Sequence, residues 1–314
     1  MLVSGERVSD TCLEMIHQIG FGSIHQYIYS NGNFLNGVDF ENDQKYFDCI
    51  YSPDPDILLK LKLRIPYYYD IPTGRFNQEL NYTVFNKYYS QLGGAKAVFV
   101  NDKKMNRYAH WAGLNSFWVN EGINLNEGVN FEKNLLTPKK FMTPKLHIGY
   151  VYDTEANYKL IKNVISAKKS NWIFHMYNAH DLKQDGSIKF YNGIKDLARR
   201  KIYENCQIFL NPSLPYKNSI TQVPSLVTLE SMAQGCIALC GNIHDNADSI
   251  LFDKYHYFKL DFIDANTIIE TLRYVDKRRE KLDNVSKAGR KVVFKYFDAK
   301  KSAKQKIDIL KATN

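Results

Sequence analysis

The sequence predicts an α/β protein of two domains, each a doubly wound parallel sheet, and three observations predict it. Short β-type runs alternate with helical patterns between residues 23 and 119. The alternation stops over residues 126–145, where NEGVNFEKNLLTPKKFMTPK carries two prolines and four lysines and keeps no period. It restarts at Leu146 and continues into the last residues. Strands separated by helices pair in parallel, and 314 residues suit two domains of ordinary size. The expected domains are residues 1–135 and 145–314, with the last helix packing back on the first domain. Two such sheets are expected to face across a cleft at the carboxyl ends of their strands, where ligands of this architecture bind.

In the first domain, Met1-Leu2-Val3 reads as a short strand, and Ser9 or Asp10 as the cap of a helix with apolar Cys12, Leu13, Ile16 and Ile19, stopped by Gly20. Strands are expected at 23–30 and 46–52, a helix at 56–63, a strand at 65–70 and a helix at 77–91. A strand at 97–101, a helix at 102–111 and a strand at 116–119 complete it. Asp54 and Asp56, in SPDPD, are turn formers. His110 and Trp111 fit a packed helix end, and Phe117 and Trp118 a core strand.

The second domain opens with LHIGYVY as a strand, followed by a helix at 156–169 with Leu160, Ile161, Val164 and Ile165 on one face. Strands 172–177 and 187–192, a helix 194–205 and the strand 206–213 follow. Next comes QVPSLVTLESMAQGCIALC, residues 222–240, read as a helix from Pro224 broken at Gly235 and a strand over 236–240. A strand at 255–260 and helices at 263–274, 278–296 and 298–312 close the chain.

Composition narrows the function classes. A chain with 44% hydrophobic and 24% charged residues can bury a core and is not a disordered one. No apolar run reaches the ~20 residues of a membrane helix, and MLVSGERVSD lacks the apolar centre of a signal peptide. The five cysteines, Cys12, Cys49, Cys206, Cys236 and Cys240, are scattered and odd in number. That pattern suits a reducing, cytoplasmic setting, and no cysteine or histidine pairs have zinc-site spacing. The net charge of +9 is concentrated in residues 277–306, which hold twelve Lys/Arg against three Asp/Glu. Such a segment can face nucleic acid, anionic lipid at a membrane periphery, or water alone.

The 222–240 run poses the functional question, because it keeps one carboxylate, Glu230, among apolar and small residues. A helix beginning at Pro224 leaves its first amides unpaired and partly positive. Ser225, Leu226 and Val227 would then offer N–H groups to a diphosphate, and proline is tolerated in a first turn. A solvated surface position for Glu230 is the plain alternative.

The residues around this run resemble those of the GT-B glycosyltransferases, the retaining family 4 type in particular. Pro212-Ser213 ends a strand, and Leu229-Glu230-Ser231-Met232-Ala233-Gln234-Gly235 is similar to that family's Leu-Glu-Ala-Met-Ala-x-Gly. Asn120-Glu121-Gly122-Ile123-Asn124 resembles its Asn-Gly-Val-Asp, and Phe190-Tyr191-Asn192-Gly193 its Phe-x-Gly. The resemblance covers roughly residues 95–314 and is looser before them. It implies two Rossmann-like domains and sugar transfer from a nucleotide-sugar, UDP- or GDP-linked, with retention, without a metal and with no other cofactor. It implies that Glu230 accepts hydrogen bonds from the ribose hydroxyls, and that Tyr191 and Asn192 flank the nucleobase, although Tyr191 reads equally as strand core.

Two departures accompany the resemblance. Gln222 stands where the family has its first glutamate, and the stiff Val223-Pro224-Ser225 replaces Gly-x-Gly. Gly149-Tyr150-Val151-Tyr152, at the first donor-domain strand, brings no arginine for the diphosphate. Gly149 is counted with the donor-binding positions, and Lys159, Lys217 or a basic residue distant in sequence would meet the negative charge. Gln222 and Asp70 are the catalytic candidates; Asp70, in IPYYYDIPTG, either orients an acceptor hydroxyl or caps the next turn. The acceptor is a saccharide, a lipid-linked glycan, a protein or DNA. Transfer to modified bases of phage DNA, and a GT-B-like nucleotide-sugar-binding protein of weak activity, are the alternatives.

Overall fold

The computed structural model describes residues 2–4, 10–19, 26–30, 33–34, 40–71, 82–125, 141, 143–152, 155–177, 182, 185–212, 224–241 and 250–314. The chain divides into two compact units. Met1–Asn124 and Tyr296–Asn314 belong to the first, and Leu125–Tyr216 and Pro224–Lys295 make up the second.

The first unit is built on β1 (Leu2–Ser4), β2 (Gln26–Ser30), β3 (Asn33–Phe34), β4 (Ile50–Ser52), β5 (Tyr67–Ile71), β6 (Ala97–Val100) and β7 (Ser116–Trp118). The strand order is β3-β2-β1-β4-β5-β6-β7. All neighbours are parallel except the hairpin of β2 with β3, which the sequence did not announce. Its helices are α1 (Asp10–Ile19), α2 (Phe40–Asp43), α3 (Pro55–Leu58), α4 (Tyr82–Tyr89), α5 (Lys103–Trp111) and, from the far end of the chain, α11 (Ala299–Thr313).

The strands alternate between two buried faces, as a parallel sheet covered on both sides must. Ile50, Tyr69, Val98 and Val100 pack with Phe85 and Tyr89 of α4 and Met105 of α5. Tyr51, Tyr68, Ala97 and Phe99 pack on the other face with Cys12, Met15 and Ile16 of α1 and Ala303 and Ile307 of α11. Local signals fix the helix starts. Asp102 caps α5 by accepting the Met105 amide at 2.9 Å, and Asp54 caps α3 with Pro55 in its first turn.

Besides the hairpin, this unit differs from the sequence expectations at several places, and the strand read over 46–52 is only Ile50–Ser52. The helix read over 56–63 is the single turn of α3. Leu13 and Ile19 lie on the exposed side of α1, because Cys12, Met15 and Ile16 form its packed stripe. The end of α5 is open to solvent, and Trp111 is 64% exposed.

The second unit contains β8 (Leu146–Val151), α6 (Glu155–Ser166), β9 (Trp172–Tyr177), β10 (Ile188–Tyr191), α7 (Lys195–Asn205), β11 (Ile208–Asn211), α8 (Leu226–Ala233), β12 (Ile237–Cys240), β13 (Phe258–Lys259), α9 (Ala265–Asp276) and α10 (Arg279–Tyr296). The strand order is β10-β9-β8-β11-β12-β13, and every pairing is parallel. Strand order reverses between β8 and β11, which is the switch point where an open α/β sheet receives ligands at its carboxyl edge.

One face of this sheet presents Leu146, Ile148, Tyr150, Trp172, Phe174 and Met176 to the main core. The other carries α7 and α8 over Val151, Tyr177, Phe209 and Cys236. A buried polar cluster fastens the far side: Asp276 accepts from Trp172 Nε1 at 3.1 Å and pairs with Arg279, whose guanidinium also reaches the Thr143 carbonyl. Among the described residues, no helix is long and apolar enough to cross a membrane.

Candidate functional site

The carboxyl edge of the second sheet gathers the residues that the 222–240 run pointed to. The helix there begins at Leu226, not at Pro224, because Ser225 has extended backbone and serves as the N-cap. Ser225 Oγ accepts the Thr228 amide at 3.3 Å. Asn211, buried at the end of β11, donates to Ser225 Oγ at 2.6 Å and to Thr228 Oγ1 at 2.7 Å, so strand and helix start are fixed to each other. Of the predicted trio of amides, Ser225 is the cap, and Leu226 and Val227 carry the first helical N–H groups. Leu226 is exposed, and Val227 packs against the core beneath α7. The helix ends at Gly235, whose φ of 79° suits a residue without Cβ.

Glu230 lies on the second turn of α8 with its side chain 26% exposed. Its Oε2 accepts the Tyr203 hydroxyl at 3.0 Å and lies 3.4 Å from Arg199 Nη1. Both partners come from α7, four residues apart and therefore on one face. Burial, and then the neighbouring Glu230 charge, push the Tyr203 hydroxyl well above its ordinary pKa, with Arg199 opposing, so the phenol remains a donor. Sequence reasoning singled out neither Arg199, Tyr203 nor Asn211. The i,i+4 spacing in Arg199-Arg200-Lys201-Ile202-Tyr203 was the available signal, but it does not reveal which helix faces Glu230.

Tyr191 ends β10, and Asn192 and Gly193 form the exposed turn into α7, Gly193 with φ of 99°. The Tyr191 hydroxyl reaches back along the sheet to His175 Nδ1 at 2.8 Å, and His175 Nε2 is 2.8 Å from His147 Nδ1. His175 is fully buried, so this polar chain anchors the turn from beneath. What the turn presents outward is Asn192 and the backbone.

Gly149 has a packing task. It lies buried within β8, where a Cβ would stand 2.7 Å from Ile202 Cγ2 and 2.8 Å from Cys206 Sγ. The absent side chain lets α7 lie directly on the strand. Lys159 is exposed on α6. Gln222 and Lys217 lie outside the described residues.

In the first unit, Asp70 is committed to an internal ion pair. Lys306 Nζ stands 2.9 Å from its Oδ1 and 2.8 Å from its Oδ2, and the Tyr51 hydroxyl donates to Oδ2 at 2.7 Å. Lys306 is 2% exposed. Burial pulls the Lys306 ammonium pKa down, but Asp70 and Glu121 outweigh it and hold the value above the ordinary one. The same burial and the Asp70 charge push the Cys12 thiol up to about 12. These contacts make Asp70 the anchor of α11. The turn that follows, Pro72-Thr73-Gly74, lies outside the described residues. The Gly122 motif is explained similarly: Ile123 exchanges backbone hydrogen bonds with Phe297 and Ala299, and a Cβ on Gly122 would run into the Ala299 backbone.

The basic run of residues 277–306 is not one face. Arg279 and Lys306 are buried in ion pairs, Arg278 stacks on Tyr274, and the run divides between the two units after Lys295.

Two parallel α/β sheets in successive units, the second with a capped helix at its switch-point edge, define the GT-B class of fold. No protein-family model matches the chain, and no curated protein matches it. Solved structures do match. HepE of Anabaena, solved in complex with UDP-glucose, is similar at a TM-score of 0.71 and 11% identity over 99% of each chain. A glycosyltransferase of Rickettsia africae matches at 0.68 and 13%, over 99% of this chain and 98% of its own. Sucrose-phosphate synthase of Thermosynechococcus elongatus matches at 0.65 and 12%, over 99% and 98%. At such identities the likeness establishes the fold.

Proposed function

We propose that the chain is a glycosyltransferase that moves a sugar from a nucleotide-sugar, UDP- or GDP-linked, to a hydroxyl-bearing acceptor. The observation that carries this reading is Glu230, held by Tyr203 one turn beyond a capped helix start at the switch-point edge. The fold adds support, since HepE, which shares it, was solved with UDP-glucose.

In this reading the Leu226 and Val227 amides meet the diphosphate, and Glu230 accepts hydrogen bonds from the two ribose hydroxyls. The 191–193 turn flanks the base, and Gln222 hydrogen-bonds the donor sugar. Amide and side-chain charges stabilise the leaving diphosphate, so turnover survives a chelator, and the product keeps the donor's anomeric configuration. The expected location is cytoplasmic.

Thermal-shift measurements with UDP-, GDP-, ADP- and CMP-sugars test the reading, because a ligand of the native state raises the melting temperature by mass action. One nucleotide class should stabilise the chain, and Glu230→Ala should abolish the shift without lowering the unliganded melting temperature by more than a few degrees. Indifference of the parent chain to all four classes would overturn the proposal.

A further inference from the structure

The nucleotide-sugar reading leaves a charge to be met. A nucleoside diphosphate is anionic, and its charge grows as the bond to the sugar breaks. Helix amides answer it with partial charge only. The strand that opens the second unit ends Gly149-Tyr150-Val151-Tyr152, with no cation.

Arg199 is placed to supply one. It sits in the second turn of α7, just after the 191–193 turn, with its side chain 20% exposed. Its guanidinium and the Tyr203 hydroxyl converge on one oxygen of Glu230, and the two contacts are unequal. The tyrosine bond is 3.0 Å and directed. The arginine contact, at 3.4 Å, is longer than the roughly 2.7–2.9 Å of a charge-assisted hydrogen bond. Tyrosine thus fixes the carboxylate, and arginine attends it through charge. At 1.5 Å rise per residue, the Leu226 and Val227 amides lie about 4.5–6 Å along the helix axis from Glu230. An arginine side chain spans that distance.

We propose that Arg199 is the diphosphate-binding cation of this site and changes partners on ligand binding. Without ligand it pairs with Glu230. With a nucleoside diphosphate present, the ribose hydroxyls take the carboxylate and the guanidinium turns onto the phosphate oxygens, whose geometry its fork matches. The exchange keeps a positive charge beside the half-buried Glu230 carboxylate in the empty site. It also makes Arg199 a determinant of diphosphate over nucleoside. No covalent step is involved. The inference rests on the nucleotide-sugar reading above.

The test is a pair of NMR titrations, with uridine and with UDP, on the parent chain and on Arg199→Met and Arg199→Lys (guanosine and GDP if the thermal screen selects that base). Arg199→Met should lose tenfold or more of its UDP affinity and keep its uridine affinity within about twofold, since the lost group faces phosphate. Arg199→Lys, which retains charge without the fork, should fall between. Equal losses for uridine and UDP would overturn the inference, because Arg199 would then act only by holding Glu230. Unchanged UDP affinity in Arg199→Met would overturn it as well. If the parent chain binds neither ligand, the nucleotide-sugar reading itself falls, and the inference with it.

Discussion

The Tyr203 hydroxyl of α7 donates a 3.0 Å hydrogen bond to Oε2 of Glu230 on α8. The ring stands edge-on to Phe209 with centroids 5.2 Å apart, so core packing fixes where the hydroxyl points. Removing only the oxygen keeps that packing and releases the carboxylate. Tyr203→Phe should therefore weaken UDP binding about tenfold, or ~1.4 kcal/mol, with a melting temperature close to that of the parent. Calorimetry of UDP binding checks it, and an undiminished affinity would show that Glu230 needs no such support.

Gly149→Ala tests the seating of α7. The added methyl would meet Ile202 Cγ2 at 2.7 Å and Cys206 Sγ at 2.8 Å. Overpacking of this kind costs about 1–3 kcal/mol, and relief requires α7 to move with Arg199 and Tyr203 on it. The variant should unfold at lower denaturant concentration and bind UDP more weakly than its stability loss alone predicts.

Lys306→Met should destabilise the chain by about 3–5 kcal/mol, because Asp70 would be left as a lone, largely buried charge. Lys306→Met combined with Asp70→Asn should recover much of the loss. Chemical denaturation of the three forms measures the coupling. A double variant no better than Lys306→Met alone would mean that α11 is held chiefly by its apolar face.

Acid should weaken the second unit through Asp276. Burial raises this carboxyl's pKa, but bonds from Arg279, Trp172 and Asn171 outweigh it, and the folded value lies below 3.8. A group lowered by folding contributes stability that is complete above 3.8 and is lost as pH falls through the folded value. Asp276→Asn should melt well below the parent at pH 7, and the difference should shrink as pH drops below 3.8. A gap that stays constant to pH 2 would show that the Asp276 charge contributes nothing.

Much of the fold was legible, because short continuous apolar runs and Asp or Ser caps are local signals. Ala97–Val100 and Ile237–Cys240 are wholly buried runs, and both were read as strands. The hairpin of Asn33–Phe34 escaped, because two residues carry no period. At the candidate site, Glu230 and the helix start were legible as a run, to within two residues. Arg199, Tyr203 and Asn211 were not, because their contacts depend on how α7 and β11 pack on α8. The Asp70 ion pair was not legible for the same reason: its partner lies 236 residues away, and nothing near Asp70 announces it.

The placement of α11 has a bearing on synthesis. Residues 296–314 belong with the first unit, although the whole second unit precedes them in the chain. During translation, the second unit is made while the earlier-made sheet still lacks the helix that covers Tyr68 and Phe99. Until residues 296–314 leave the ribosome, that apolar face is exposed to chaperones, so truncations that remove them should injure the unit made first.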